Sequence, residues 1–219
     1  MKYVLVIFLV IFLTNCSSED ESNPITTTEE ATYFPPISSN DWETKSPESI
    51  NWNTSNLSDL YTFLDEKNSK SFIILHKGKI VVEYYLNNHT QTTAWYWASA
   101  GKTLTSAITG IAQDNGFINI NNKASDYLGT GWTSATLNQE NLITCKNLLN
   151  MTSGLDDSLG DNNAPTNLQY VADVNTRWAY HNVYVKLQDV VTEATNQTWD
   201  NYFETKLKNK IGMSGSWIG

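Results

Sequence analysis

The chain has 219 residues, 40% hydrophobic and 17% charged, which allows one domain with a packed core and argues against long intrinsic disorder. Fourteen Lys plus Arg stand against 23 Asp plus Glu, a formal charge of -9, so a nucleic-acid phosphate backbone is a poor partner. Two cysteines cannot make a disulfide framework, whereas eight Trp and 11 Tyr can line pockets as well as cores.

Lys2 precedes an apolar run over residues 3–13. The run is shorter than the roughly 20 helical residues that span a bilayer, so residues 1–15 are expected to be a secretory signal peptide. Leu13-Thr14-Asn15-Cys16 resembles a bacterial lipoprotein cleavage box, in which Cys16 becomes the acylated first residue. The alternative is an ordinary signal peptide with an incidental cysteine. Acyl chains on Cys16 would anchor the protein, since each buried CH2 contributes about 0.8 kcal/mol. Residues 16–40 are Ser, Thr, Glu, Asp and Pro with scattered apolar positions, and are expected to form a solvated tether. The expected product is an exported bacterial lipoprotein at the periplasmic or outer face of a membrane.

The organised part is expected over residues 41–219. Leu57, Leu60, Tyr61 and Leu64 repeat at helical spacing, with Asn56 or Ser58 as cap, which predicts a helix over residues 56–67. Residues 71–76 and 79–86 are β-rich runs separated by Lys77-Gly78, a hairpin signature. After Trp95-Tyr96-Trp97, the spacing of Leu104, Ala107, Ile108 and Ile111 predicts a helix starting near Ser99 and stopping at Asn115-Gly116. Further helices are predicted over residues 144–151, 183–194 and 199–210. A hairpin followed mostly by helices gives an α+β fold rather than an alternating parallel sheet.

Ser99-Ala100-Gly101-Lys102 places a hydroxyl and an amine on one helical face. A lysine can deprotonate a serine only if its pKa falls well below about 10.4. Burial under the Trp95-Tyr96-Trp97 segment and the positive end of a helix would both lower it. Taken alone, the pair reads more readily as a capping serine with a solvated lysine.

The surroundings carry more. Residues 98–120 (ASAGKTLTSAITGIAQDNGFINI) resemble the nucleophile helix of the serine β-lactamase and penicillin-binding-protein superfamily, above all its class C β-lactamase-like esterases, peptidases and amide hydrolases. Residues 142–155 (LITCKNLLNMTSGL) are similar to that family's helix and Thr-Ser-Gly-Leu turn. Trp178-Ala179-Tyr180-His181-Asn182 resembles its Tyr-x-Asn motif, and Ile211-Gly212-Met213 with Trp217 its closing segment. The resemblance implies a β-lactamase/transpeptidase-like fold, an antiparallel sheet packed with helices plus a helical domain. It implies Ser99 as the acylated nucleophile, Lys102 as its proton acceptor and Tyr180 as the group assisting proton transfer to leaving group and water. Asn182 would bond Lys102 or a substrate carbonyl. From the residues alone, His181 either lines the pocket or is a solvated histidine. Tyr85-Leu86-Asn87 shares the pattern but lies in a strand before the serine, so it is expected to be structural.

The family's third motif, Lys-Thr-Gly or His-x-Gly on a later strand, does not occur after Tyr180. A truncated gene, a fragment or half of a split protein is therefore expected, with Ile73, Ile80 and Val82 short of strand partners. Cys145, among Ile143, Leu148 and Leu149, is expected to be a buried small hydrophobe. His76, His89 and His181 lack metal-ligand spacing, and no phosphate loop appears, so no metal or cofactor is expected. The expected function is hydrolysis of a small-molecule or peptide-like ester or amide through an acyl-enzyme, the membrane being reached through the lipid anchor. The alternatives are a non-catalytic truncated relic acting as a binding module, or a helical face that only docks a partner.

Overall fold

The computed structural model describes residues 30–218. The expected signal peptide, Cys16 and the first part of the expected tether lie outside the described residues.

Strands β1 (Ser71–His76) and β2 (Lys79–Tyr85) pair antiparallel, with Ser71 opposite Tyr85 and His76 opposite Lys79. Lys77 and Gly78 between them both have positive φ, 48° and 84°, the turn whose twist matches that of the strands. Glycine is required at position 78, because a Cβ there would sit 1.9 Å from the Tyr33 carbonyl oxygen. A bulge between Ile74 and Leu75 leaves Val81 without an opposite residue. Helix α1 (Leu57–Glu66) packs on the hairpin by stacking Tyr61 on Tyr84, 4.0 Å between ring centroids. The expected side-chain cap is absent, since Asn56 (φ -101°, ψ 7°) is not in the extended conformation that aims a cap at the helix amides.

The free edge of β2 is occupied at one point. Ile80 donates its N–H to Glu43 O (2.9 Å) and accepts from Lys45 N (2.8 Å). Packing also starts earlier than the expected boundary at Asp41, for Tyr33 N donates to Lys77 O and Lys79 Nζ lies over the Tyr33 ring. Ile80 and Val82 are accordingly buried, while Ile73 and Leu75 on β1 remain about half exposed.

The helical part comprises α2 (Gly101–Asp114), α3 (Ser125–Leu128), α4 (Leu137–Glu140), α5 (Cys145–Leu149), α6 (Lys186–Thr195) and α7 (Trp199–Lys206). Helix α6 lies at its centre and packs Leu187, Val190 and Val191 against α2, α3, α5 and α7. The buried face of α2 is turned from the predicted one. Thr105, Ile108, Thr109 and Ala112 are buried, Leu104 and Ile111 flank the core, and Ala107 is exposed. Threonine can take an inner position because Thr109 Oγ1 donates back to Thr105 O (2.8 Å), which satisfies the hydroxyl locally. The helices predicted over residues 144–151 and 199–210 are shorter than expected. Met151 turns left-handed (φ 57°) after α5, and Leu207 leaves helical geometry after α7.

Candidate active site

Ser99 sits in a single 3-10 turn, Ala98–Ala100, which feeds directly into α2. Ala98 is held at φ 46°, a left-handed conformation that costs an alanine about 1–2 kcal/mol. That kink precedes a serine whose hydroxyl makes no helix cap. Instead Ser99 Oγ accepts from Lys102 Nζ (3.0 Å) and from Tyr180 Oη (2.7 Å). The two donors come from separate stretches of chain, Lys102 from the first turn of α2 and Tyr180 from the approach to α6. The capping-serine reading of Ser99 is thereby excluded.

Tyr180 is exposed, and its neighbours hold it in place. Ala179 N donates to Met151 O (3.0 Å), and His181 and Val183 are buried on the far side. Met151 in turn begins the Thr152-Ser153-Gly154-Leu155 turn. Asn147 Nδ2 donates to Thr152 Oγ1 (3.2 Å) and Asn175 Oδ1 (2.7 Å), tying α5 to the segment before Tyr180. Gly154 (φ 76°) must be glycine, because a Cβ would lie 2.0 Å from Ala172 O. Arg177 closes the turn by donating to Leu155 O and pairing with Asp157. The Arg177 hydrogen bond holds the Asp157 carboxyl below the usual carboxylate range.

The Tyr180 phenol is held below its ordinary value, first by the Lys102 nitrogen beside it and then by the Ser99 hydroxyl. Lys102 is half-buried, but not under the aromatic segment expected to cover it. Trp95, Tyr96 and Trp97 are 55%, 75% and 53% exposed, with Trp95 stacked on Tyr96 and edge-on to His89. The cover comes from Tyr180 and Tyr184, whose ring centroids lie 4.8 and 4.3 Å from Lys102 Nζ. Tyr184 was not singled out in the sequence; its position four residues after Tyr180, at the start of a helix, was the available signal. A cavity of about 40 Å³ beside it is lined by Lys102, Thr105, Leu149, Met151 and Leu187 among others.

Asn182 Nδ2 donates to Asp161 O (3.0 Å), and of its two expected partners Lys102 is not hydrogen-bonded to it. This bond fastens residues 156–161 over the Tyr180 segment. His181 is only 4% exposed, and both ring nitrogens lack a hydrogen-bond partner. Burial holds its pKa below the ordinary 6.5, against the opposing pull of Asp157, Asp156 and Asp161; the Arg177 charge acts with burial. The unfolded chain therefore takes up a proton at His181 before the folded one does. Stability contributed by neutral His181 is present above pH 6.5 and falls as the pH drops below it. Melting temperature is expected to decline from pH 7 to pH 5, with a shallower decline in His181→Leu; parallel declines would contradict this.

Cys145 is buried, and burial pushes its thiol up to about 12, as suits a small hydrophobe of the core. No group of His, Cys, Asp and Glu placed to hold a metal ion occurs among the described residues. No described helix is long and apolar enough to cross a membrane.

Comparison with known proteins extends the geometry. Three solved structures share the fold: a β-lactamase candidate from Bacteroides dorei (18% identity, TM-score 0.63, 74% of this chain and 52% of that one), a 6-aminohexanoate-dimer hydrolase candidate from Bacillus anthracis (15%, 0.59, 80% and 54%), and an octameric penicillin-binding protein homologue from Pyrococcus abyssi (17%, 0.59, 74% and 44%). The chain spans about half the length of these proteins. No curated protein sequence matches it. The model of the Beta-lactamase family matches residues 65–219, which take in the hairpin, α2 and the Tyr180 segment. With more than half of its length matched and the corresponding fold, the chain belongs to the Beta-lactamase family.

Proposed function

We propose that this protein is a serine hydrolase that forms an acyl-enzyme at Ser99 and hydrolyses an ester or amide. The observation that carries the proposal is the convergence of Lys102 Nζ and Tyr180 Oη on one serine oxygen, at 3.0 and 2.7 Å. Hydroxyl attack on a carbonyl needs a partner that removes the proton as the C–O bond forms. Ser99 Oγ would attack, its proton would pass to the amine form of Lys102, and Tyr180 would relay it to the leaving alcohol or amine. Water would then attack the ester on Ser99, giving up its proton through the same pair and restoring the serine hydroxyl. The depressed phenol of Tyr180 supports a group able to exchange protons with both neighbours.

The substrate is proposed as a small-molecule or peptide-like ester or amide, in keeping with the family and with an exposed serine that an external carbonyl can reach. The proposed location is the outer side of a bacterial membrane, with Cys16 acylated after removal of residues 1–15. The test is turnover of a panel of aryl esters, anilides and a chromogenic β-lactam, with Ser99→Ala as control. Turnover of at least one ester or anilide, lost in Ser99→Ala, is expected. A cooperatively melting protein that turns over none would favour the second reading, a binding module that keeps the pocket without chemistry.

A further inference from the structure

The long, flexible side chain of Lys102 must hold its nitrogen within about 3 Å of one oxygen. Its single side-chain hydrogen bond is the one to Ser99 Oγ. No carboxylate pairs with it among the described residues, and it makes no hydrogen bond with Asn182. What remains to fix the nitrogen is the pair of rings, Tyr180 at 4.8 Å and Tyr184 at 4.3 Å. Tyr180 is already bound to the serine through its hydroxyl. Tyr184 is not; it is half-buried in the 3-10 turn Asn182–Val185, and its ring is the nearer of the two. Its hydroxyl has no hydrogen bond within the described residues, so the ring face is what it offers Lys102.

We propose that Tyr184 is a positioning residue, whose ring clamps the Lys102 nitrogen against Ser99 Oγ. The inference rests on the reading of Ser99 and Lys102 as the reacting pair. A ring face attracts a cation electrostatically, and more so where water is partly excluded. The clamp therefore favours the rotamer in which Lys102 faces the serine, and it favours the ammonium formed when the Ser99 O–H bond breaks and the Lys102 N–H bond forms. Tyr184 itself exchanges no proton. Val183, fully buried next to it, anchors the turn that aims the ring.

The experiment compares wild type, Tyr184→Phe and Tyr184→Leu. Phenylalanine keeps the ring face, whereas leucine keeps apolar bulk without it. The rate constant for phosphonylation by a fluorophosphonate, read on the reacting fraction so that partly unfolded molecules lower amplitude and not rate, is expected to stay within about twofold for Phe. It is expected to fall about tenfold for Leu. The Lys102 ε-methylene proton resonances, shifted upfield by the two rings, report the clamp without any chemistry and should move downfield in Leu only. Leucine reacting as fast as wild type, or Phe as slow as Leu, overturns the clamp while leaving the Ser99 reading in place. Wild-type protein that forms no adduct removes that reading, and the role in catalysis with it; an unmoved Lys102 resonance in Leu overturns the clamp on geometry alone.

Discussion

Lys102→Met is expected to slow acylation of Ser99 by about 100- to 10,000-fold, the usual worth of a positioned proton acceptor. Methionine keeps the length and apolar contacts of the side chain, so melting temperature should change little. Tyr180 reports the same loss in another way. Its phenol is held down chiefly by the nearby Lys102, so the variant releases it toward its ordinary value near 10. Residual reactivity of Lys102→Met should accordingly rise with pH across the alkaline range. Tyr180→Phe keeps the ring that faces Lys102 and should lose less. Stopped-flow acylation from pH 6 to 10 checks both, and a Lys102→Met rate within twofold of wild type would contradict the assignment.

The second large effect is on stability and lies at Glu140. This carboxylate is 1% exposed at the end of α4. Its Oε1 accepts from Gly131 N (2.8 Å), and its Oε2 from Thr133 N (2.8 Å) and Thr133 Oγ1 (2.7 Å). A buried charge is tolerated when its lone pairs are filled in this way, and the three donors depend on it equally. Glu140→Leu removes the acceptor and leaves those donors unpaired beside the core residue Trp132. The expected cost is about 3 kcal/mol or more, or about 10 °C in melting temperature. Glu140→Gln keeps one acceptor oxygen but turns an NH2 toward a donor, so an intermediate loss is expected. A drop below 3 °C for Leu would show that water replaces the carboxylate.

Local rules reached much of this architecture from the residues alone. Lys77-Gly78 between two β-rich runs gave the hairpin its turn and register, because only a glycine fits at φ 84° against Tyr33. Ser99, Lys102 and Tyr180 were legible as motifs, and the fold brings them to one oxygen although 81 residues separate Tyr180 from Ser99. The rest depended on tertiary contacts that periodicity does not encode. The apolar stripe on α2 placed Ala107 inside, yet Thr105 and Thr109 are buried because their hydroxyls find helix carbonyls nearby. The cover for Lys102 was sought in the adjacent Trp95-Tyr96-Trp97, whereas Tyr180 and Tyr184 provide it from across the helical part. Helices α3 and α4 are four residues each, too short to show a period. Nothing in the sequence around Glu140 marks the contacts that Gly131 and Thr133 make with it.

Intact mass after exposure to a fluorophosphonate, on wild type and Ser99→Ala, tests the central claim most directly. Attack by Ser99 Oγ on phosphorus expels fluoride and leaves one stable phosphonyl group on the protein. The account predicts a single adduct on wild type, mapped to the peptide containing Ser99, and none on Ser99→Ala. No adduct on a wild-type protein that melts cooperatively, or an adduct that persists in Ser99→Ala, would contradict it.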